Sequence, residues 1–102
     1  MSDHVEFCVV LSFRFLNPLL MGPAHDWAKE NTPEEMPPGM IRLRNFHIAP
    51  DRGLAIAWFD TQENLDAATP FFKGMQQQIA ERFEARVELQ KGIPSPDLDF
   101  GD

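Results

Sequence analysis

The side chains best suited to chemistry near neutral pH are two histidines and a pair of arginines. His25 lies beside Asp26, and His47 follows Arg42 and Arg44. Histidine exchanges a proton close to neutral pH, and guanidinium groups hold an anionic or phenolate oxygen through paired donors. We therefore predict His25, His47 and Arg44 as catalytic candidates. The alternatives are a solvated surface pair for His25 and Asp26, and arginines that are exposed or salt-bridged across a dimer.

Other chemistries find no support in the spacing of the residues. None of the three histidines has metal-ligand spacing with another histidine, cysteine or carboxylate, which predicts no metal site. Cys8, the only cysteine, has no adjacent basic residue to lower its pKa and is expected to be a small apolar side chain. Glycine-rich nucleotide motifs are absent from the sequence, and we predict no cofactor.

Charge and length restrict the class of protein further. The chain has 102 residues with 9 basic and 16 acidic side chains, a formal charge of 9 − 16 = −7. That balance disfavours nucleic acid and anionic membrane surfaces as partners. The sequence holds no apolar run of membrane-spanning length, and a single cysteine fits a reducing compartment, so the cytoplasm is the expected location.

The elements that would position these residues follow from hydrophobic periodicity. Apolar side chains alternate along the first predicted strand, advance as a helical stripe in the second predicted helix, and alternate again in the last strand. A capping box of Asp60 and Glu63, with Thr61 as an alternative cap, starts the second helix. Pro70 is expected to kink or break that helix just after Thr69. The predicted strands are 5–15, 40–49, 54–59 and 85–91, and the predicted helices are 18–31, in one or two pieces, and 60–83.

This β-α-β-β-α-β order predicts a ferredoxin-like α+β sandwich, a four-stranded antiparallel sheet with both helices on one face. The first and third strands are the most apolar and should be central, whereas the charged second and fourth strands should be edges. Residues 1–93 form the predicted domain, and 94–102 form an acidic C-terminal tail. The helix-free face would carry Cys8, Val10 and Ser12, and its apolar surface predicts a homodimer through that face.

Three segments carry a resemblance to a known family. They are "PPGM" before the second strand, "GLAIAWFDTQENLDAA" into the second helix, and the closing "VELQKGI". Over roughly residues 5 to 93 the chain resembles the antibiotic-biosynthesis-monooxygenase-like family of dimeric α/β barrels. The resemblance implies a ferredoxin-like fold and a dimer. It also implies kinship with cofactor-independent oxygenases of polyphenolic or quinol-type substrates, haem-degrading oxygenases and isomerase-like enzymes.

Residues of the site follow partly from that resemblance. In the family's oxygenases the substrate lies between sheet and helices, near a tryptophan at the end of the third strand, and Trp58 matches that position. The haem-degrading branch has an asparagine in the first strand, which this chain lacks, and the quinone-forming branch commonly uses a tyrosine, of which this chain has none. We predict a substrate pocket walled by Trp58, Trp27, Phe72 and Met75, with plain core packing as the alternative.

Two functions of different classes follow. The first is a monooxygenase-like enzyme that acts on a small aromatic substrate without metal or flavin. Such chemistry needs an apolar pocket, a base that forms the phenolate and donors that hold it. The second is a non-catalytic dimeric module that binds an apolar ligand or another protein, which the missing tyrosine and the lack of a paired acid and base favour.

Overall fold

The computed structural model describes residues 6–98 and 100–101. Val5, the predicted start of the first strand, lies outside them, as do Asp99 and Asp102 of the tail. The elements in chain order are β1 (Phe7–Phe15), a 3-10 turn (Pro18–Leu20), α1 (Met21–Asn31), β2 (Met40–Ala49), β3 (Arg52–Phe59), α2 (Gln62–Phe83), β4 (Ala85–Gly92) and a second 3-10 turn (Pro96–Leu98). No described helix is long and apolar enough to cross a membrane.

The four strands form one antiparallel sheet in the order β2-β3-β1-β4. The predicted ferredoxin-like fold is confirmed, with β1 and β3 central and the charged strands at the edges. Val9 of β1 lies opposite Ala57 of β3, and Leu11 lies opposite Leu89 of β4. Residues paired in this way share one face of the sheet, so the register assigns each strand residue to a face.

The main core lies between the sheet and α2. It comprises buried side chains from both central strands and from α2, namely Val9, Leu11, Ala55, Ala57, Phe59, Leu65, Ala68 and Phe72. Burying an aliphatic or aromatic side chain of this size stabilises the fold by about 1.5–3 kcal/mol. A second cluster joins α1 to the end of α2 and the start of β4, through Phe15, Met21, Ala24, Ile79 and Ala85.

The second helix runs without a break through Pro70. It has 22 residues, so the helix is not broken after Thr69, and the alternative of a kink at Pro70 stays a prediction. The prediction assumed a domain too narrow for a helix of about 33 Å. The molecule is instead elongated, with a longest dimension of 45 Å. Pro70 itself is exposed, and the Thr69 hydroxyl donates to the Leu65 carbonyl at 3.0 Å.

The start of α2 uses the alternative cap. The Thr61 hydroxyl accepts from the Asn64 amide N–H at 3.0 Å, whereas Asp60 accepts from the Asn64 side chain at 2.8 Å. Gly39, just before β2, has a φ of +82°, and a Cβ there would collide with the side chains of Asn64 and Asp60. Glycine at this position therefore lets the loop before β2 approach the start of α2 closely.

Candidate functional site

An open cavity of about 140 Å³ lies between the helix-facing side of the sheet and the two helices. Its walls are apolar side chains from β1, β2, β3, both helices and the loop before β2, namely Leu11, Phe13, Ala28, Met36, Met40, Leu43, Ala55, Phe71, Phe72, Met75 and Ile79. A cavity of about 150 Å³ with such walls accommodates a benzene ring. The space is therefore suited to one aromatic ring, with the rest of a larger molecule in the open mouth.

Four polar residues complete the lining: His25, Lys29, Thr32 and Asn45. His25 is half-buried and the other three are exposed, which places them at the mouth. The Thr32 hydroxyl already donates to the Ala28 carbonyl at 2.6 Å. The imidazole of His25 and the carboxamide of Asn45 form no hydrogen bond within the described part of the chain, so both are available to a ligand.

The imidazole of His25 is held by a second histidine. The rings of His25 and His47 are 4.8 Å apart between centroids and tilted by 33°. Nδ1 of His47 lies 3.2 Å from the sulfur of Met21, a contact that helps to fix the orientation of that ring. A smaller hollow of about 40 Å³ adjoins the cavity and shares His25 and Asn45 with it. Phe13, Ala28 and Ile79 also line both hollows, and His25 and Asn45 are the polar residues that the two hollows share.

Three of the residues predicted for the site meet at the cavity. Phe72 and Met75 line it from α2, and His25 lines it from α1. His47 contacts His25 without lining the cavity itself. The geometry thus groups a proton-exchanging side chain with apolar walls, which is the combination that a phenol-binding pocket requires.

The predicted location of Trp58 in this cavity is wrong. Side chains alternate between faces along a strand, and Ala57 and Phe59 point into the core beneath α2. Trp58 therefore points to the helix-free face. There the Arg42 guanidinium lies 4.4 Å above its ring and donates to both carboxylate oxygens of Glu6, at 3.0 and 2.9 Å.

Arg44 and Trp27 are also away from the cavity. Arg44 lies opposite Ile56 of β3, two residues from Trp58 along that strand, and so shares the helix-free face. Because His25 lies on the opposite face of the sheet, the two side chains cannot act together on one ligand. Trp27 packs edge to face on Phe83, with ring centroids 6.2 Å apart, in the second core cluster. The core alternative is therefore the better description of Trp27.

Sequence reasoning missed Asn45 because of an irregularity in β2. Met40 pairs with Phe59 and Arg42 with Trp58, so Ile41 is an extra residue that shifts the register. Alternation counted from Met40 puts Asn45 on the helix-free face, whereas alternation counted forward from Arg42, after the extra residue, puts it on the helix side. The alternation of Arg42 and Arg44 with apolar Leu43 was the available signal.

Within residues 6–98 and 100–101 there is no group of three or more histidine, cysteine, aspartate or glutamate side chains placed to hold a metal ion. The polar groups on the cavity wall are the imidazole of His25, the ammonium group of Lys29, the hydroxyl of Thr32 and the carboxamide of Asn45. That set suits a neutral or singly charged organic molecule with one hydrogen-bonding edge.

Comparison with known proteins relates the chain to others through its fold. No protein-family model matches the chain, and no curated protein matches it in sequence. A dimeric ferredoxin-like protein from an uncultured marine organism superposes with a TM-score of 0.75 at 12% identity, over 98% of this chain and 95% of that one.

Two monooxygenases share the fold as well. The ActVA-Orf6 monooxygenase of Streptomyces coelicolor, solved with nanaomycin D, gives a TM-score of 0.71 at 13% identity, over 92% of this chain and 91% of that one. SnoaB of Streptomyces nogalater is a cofactor-independent oxygenase solved as an asparagine-to-alanine variant. It gives a TM-score of 0.58 at 15% identity, over 88% of this chain and 95% of that one. The fold implied by the family resemblance is thus confirmed.

Proposed function

We propose that the protein is a cofactor-independent monooxygenase-like enzyme that oxidises a small phenolic or quinol-type aromatic substrate in the cavity between sheet and helices. The observation that carries the proposal is the placement of His25. His25 is the one histidine on the wall of a mostly apolar cavity, in the part of the chain that the structure describes, and histidine is a common general base. Two solved monooxygenases of the same fold, one of them cofactor-independent, support it.

The apolar walls bind one ring of the substrate and place its hydroxyl at the mouth. Phe72 and Met75 contact the ring, while His25 and Asn45 face the oxygen. His25 takes the phenolic proton, and the Asn45 carboxamide donates to the phenolate oxygen. The apolar walls on the inner side of these two contacts strengthen them relative to open water.

The phenolate reduces dioxygen directly. A bond forms between the para carbon and one oxygen atom, and the imidazolium protonates the distal oxygen to give a hydroperoxide. His25 then removes the proton on that carbon, the O–O bond breaks, and the departing hydroxide takes the proton as water. One phenol with a free para position and one dioxygen thus give one quinone and one water, and no external reductant is consumed.

The same proposal includes a homodimer through the helix-free face. Cys8, Val10, Ile56 and Trp58 form the half-buried centre of that face. One protein of the same fold is described as dimeric. Covering the sheet would also hold β1 and β3 rigidly, which fixes the cavity on their other side.

A non-catalytic binding module is the second candidate. It is favoured because His25 contacts no carboxylate among the described residues, and a base oriented by an acidic partner is the common arrangement in enzymes. In this alternative the cavity binds its aromatic ligand without turnover.

The test is oxygen consumption with a panel of naphthols, anthrones and other phenols that have a free para position, followed by quinone formation in the same sample. We expect His25→Gln to lower kcat by at least about 100-fold with little change in substrate affinity. Lys73→Gln, an exposed change on α2, is the matched control and should leave turnover unchanged. Binding without oxygen consumption across the panel would contradict the enzyme and favour the module.

A further inference from the structure

Three arginines form a row across the helix-free face at one end of the sheet. Arg14 of β1 lies directly opposite Arg52 of β3 on one side and Arg86 of β4 on the other. Side chains paired in this way are neighbours, with Cβ atoms about 4.5–5.5 Å apart. Half of the six arginines in a chain of net charge −7 are therefore concentrated at one place.

The charge of this arginine row is not balanced within the described residues. The two ion pairs found there are Arg42 with Glu6 and Lys91 with Asp66, and neither includes a member of the row. All three arginines are exposed and line a broad depression of about 450 Å³, with Ile48 and Leu54 on its apolar side and Glu88 as its one acidic member. Like charges directly opposite each other across strands destabilise a sheet, so an acidic partner would relieve the repulsion.

The C-terminal segment has the complementary character. Its sequence "PDLDF" alternates carboxylates with apolar side chains, and Asp97 forms no ion pair among the described residues. Leu98 and Phe100 are 74% and 83% exposed, far above the exposure usual for side chains of that size. An acidic and apolar strip of this kind matches a depression lined by guanidinium groups and by aliphatic side chains.

The position of the segment indicates which copy of the chain supplies it. Gly92, where β4 ends, pairs with Cys8, whereas Arg86 pairs with Arg14, so six residues separate the start of the segment from the row. That separation is about 20 Å along the strand. Consider two copies that pack their helix-free faces together about a two-fold axis that lies between the sheets, perpendicular to the strands. The end of β4 in one copy then lies over the arginine row of the other.

We infer that the acidic C-terminal segment of one copy docks on the arginine row of a second copy, with Asp97 paired to the row and its apolar neighbours against Leu54 and Ile48. The inference rests on the proposed dimer and adds a specific, reciprocal charge contact to it. The contact occurs twice in each dimer. It fixes the relative direction of the two sheets, because the opposite arrangement would bring the arginine rows of the two copies together.

The experiment exploits that reciprocity by mixing two charge-reversed proteins. Arg14→Glu and Asp97→Arg should each raise the dimer dissociation constant about 10-fold or more in sedimentation velocity. In an equimolar mixture each chain offers the charge that the other lacks, so we expect the mixed dimer to exceed both homodimers. The preference should weaken as salt rises from 50 to 500 mM.

A control variant and the state of the wild-type protein separate failure of the docking from failure of the dimer. Asp26→Arg, an exposed reversal on α1, is the control and should show no preference for Arg14→Glu chains. A wild-type dimer with no mixed preference overturns the docking and leaves the dimer standing, whereas a wild-type monomer overturns both. If a reversal prevents folding, as circular dichroism would reveal, Arg14→Gln and Asp97→Asn replace it, and lack of coupling between them overturns the docking.

Discussion

The two faces of the sheet differ in kind although adjacent residues of the same strands supply them. Beneath the helices lie Val9, Leu11, Ala57 and Phe59, which are at most 5% exposed and form a packed core beside the cavity. The opposite face carries half-buried apolar residues at its centre, with arginines around them. One face thus holds the domain together and borders the cavity, while the other is suited to a partner. The comparison shows that the face of the sheet to which a side chain points, more than its residue type, decides its role here.

The largest expected effect comes from one substitution placed on either face. Val9→Asp puts an unpaired carboxylate in the core and should cost roughly 3–5 kcal/mol, enough to unfold a marginal domain. Val10→Asp, one residue along, should leave the monomer folded and abolish the dimer. Urea unfolding and analytical ultracentrifugation measure the two effects. Equal loss of folding in both variants would remove the distinction between the faces.

An intermediate effect is expected at the cavity. Ala28→Phe places a ring in the space that lies between α1 and the sheet, and should weaken binding of a naphthol probe at least about 10-fold. Glu30→Phe adds the same ring to an exposed position of α1 and should leave the affinity unchanged. Titration calorimetry of both variants provides the measurement. Undiminished binding by Ala28→Phe would place the ligand elsewhere, for instance against Trp58.

The smallest effect concerns the stacked arginine on the helix-free face. Arg42→Lys keeps the charge but loses the planar stacking on Trp58 and the paired donation to Glu6. Since both partners are partly exposed, the loss should be about 0.5–1 kcal/mol. Arg82→Lys, whose guanidinium lies 5.3 Å from the Trp27 ring with no described carboxylate partner, should cost less. A larger loss at Arg82 would show that the carboxylate contact adds nothing.

Most of the fold could be predicted from the sequence because periodicity and turn residues point to the same elements. Strand β2 was predicted with its observed ends, and the apolar character of β1 and β3 identified them as central. The helix is not broken at Pro70, which was one of the two predicted outcomes there. Its length was judged against a compact sphere, whereas the molecule is elongated.

The site was less predictable because it depends on which face each residue occupies. Phe72 and Met75 were predicted from the helical spacing of the apolar stripe, whereas His25 was chosen for its proton-exchange chemistry, and all three line the cavity. Trp58 was assigned through family position, which identifies a residue without fixing its direction. Asn45 was missed because the extra residue Ile41 moves the later residues of β2 to the other face of the sheet. The alternation of Arg42 and Arg44 with Leu43 is the mark that this irregularity leaves in the sequence.

The most direct test of the account uses the methionine methyl groups as reporters. Met36, Met40 and Met75 line the cavity, and the indole N–H of Trp58 reports on the opposite face. In ¹³C-methyl methionine protein titrated with a naphthol, we expect these three methyl signals to shift and to show Overhauser contacts with the ring, while the Trp58 signal stays in place. Shifts confined to Trp58, with unchanged methyl signals, would contradict a ligand site between the sheet and the helices.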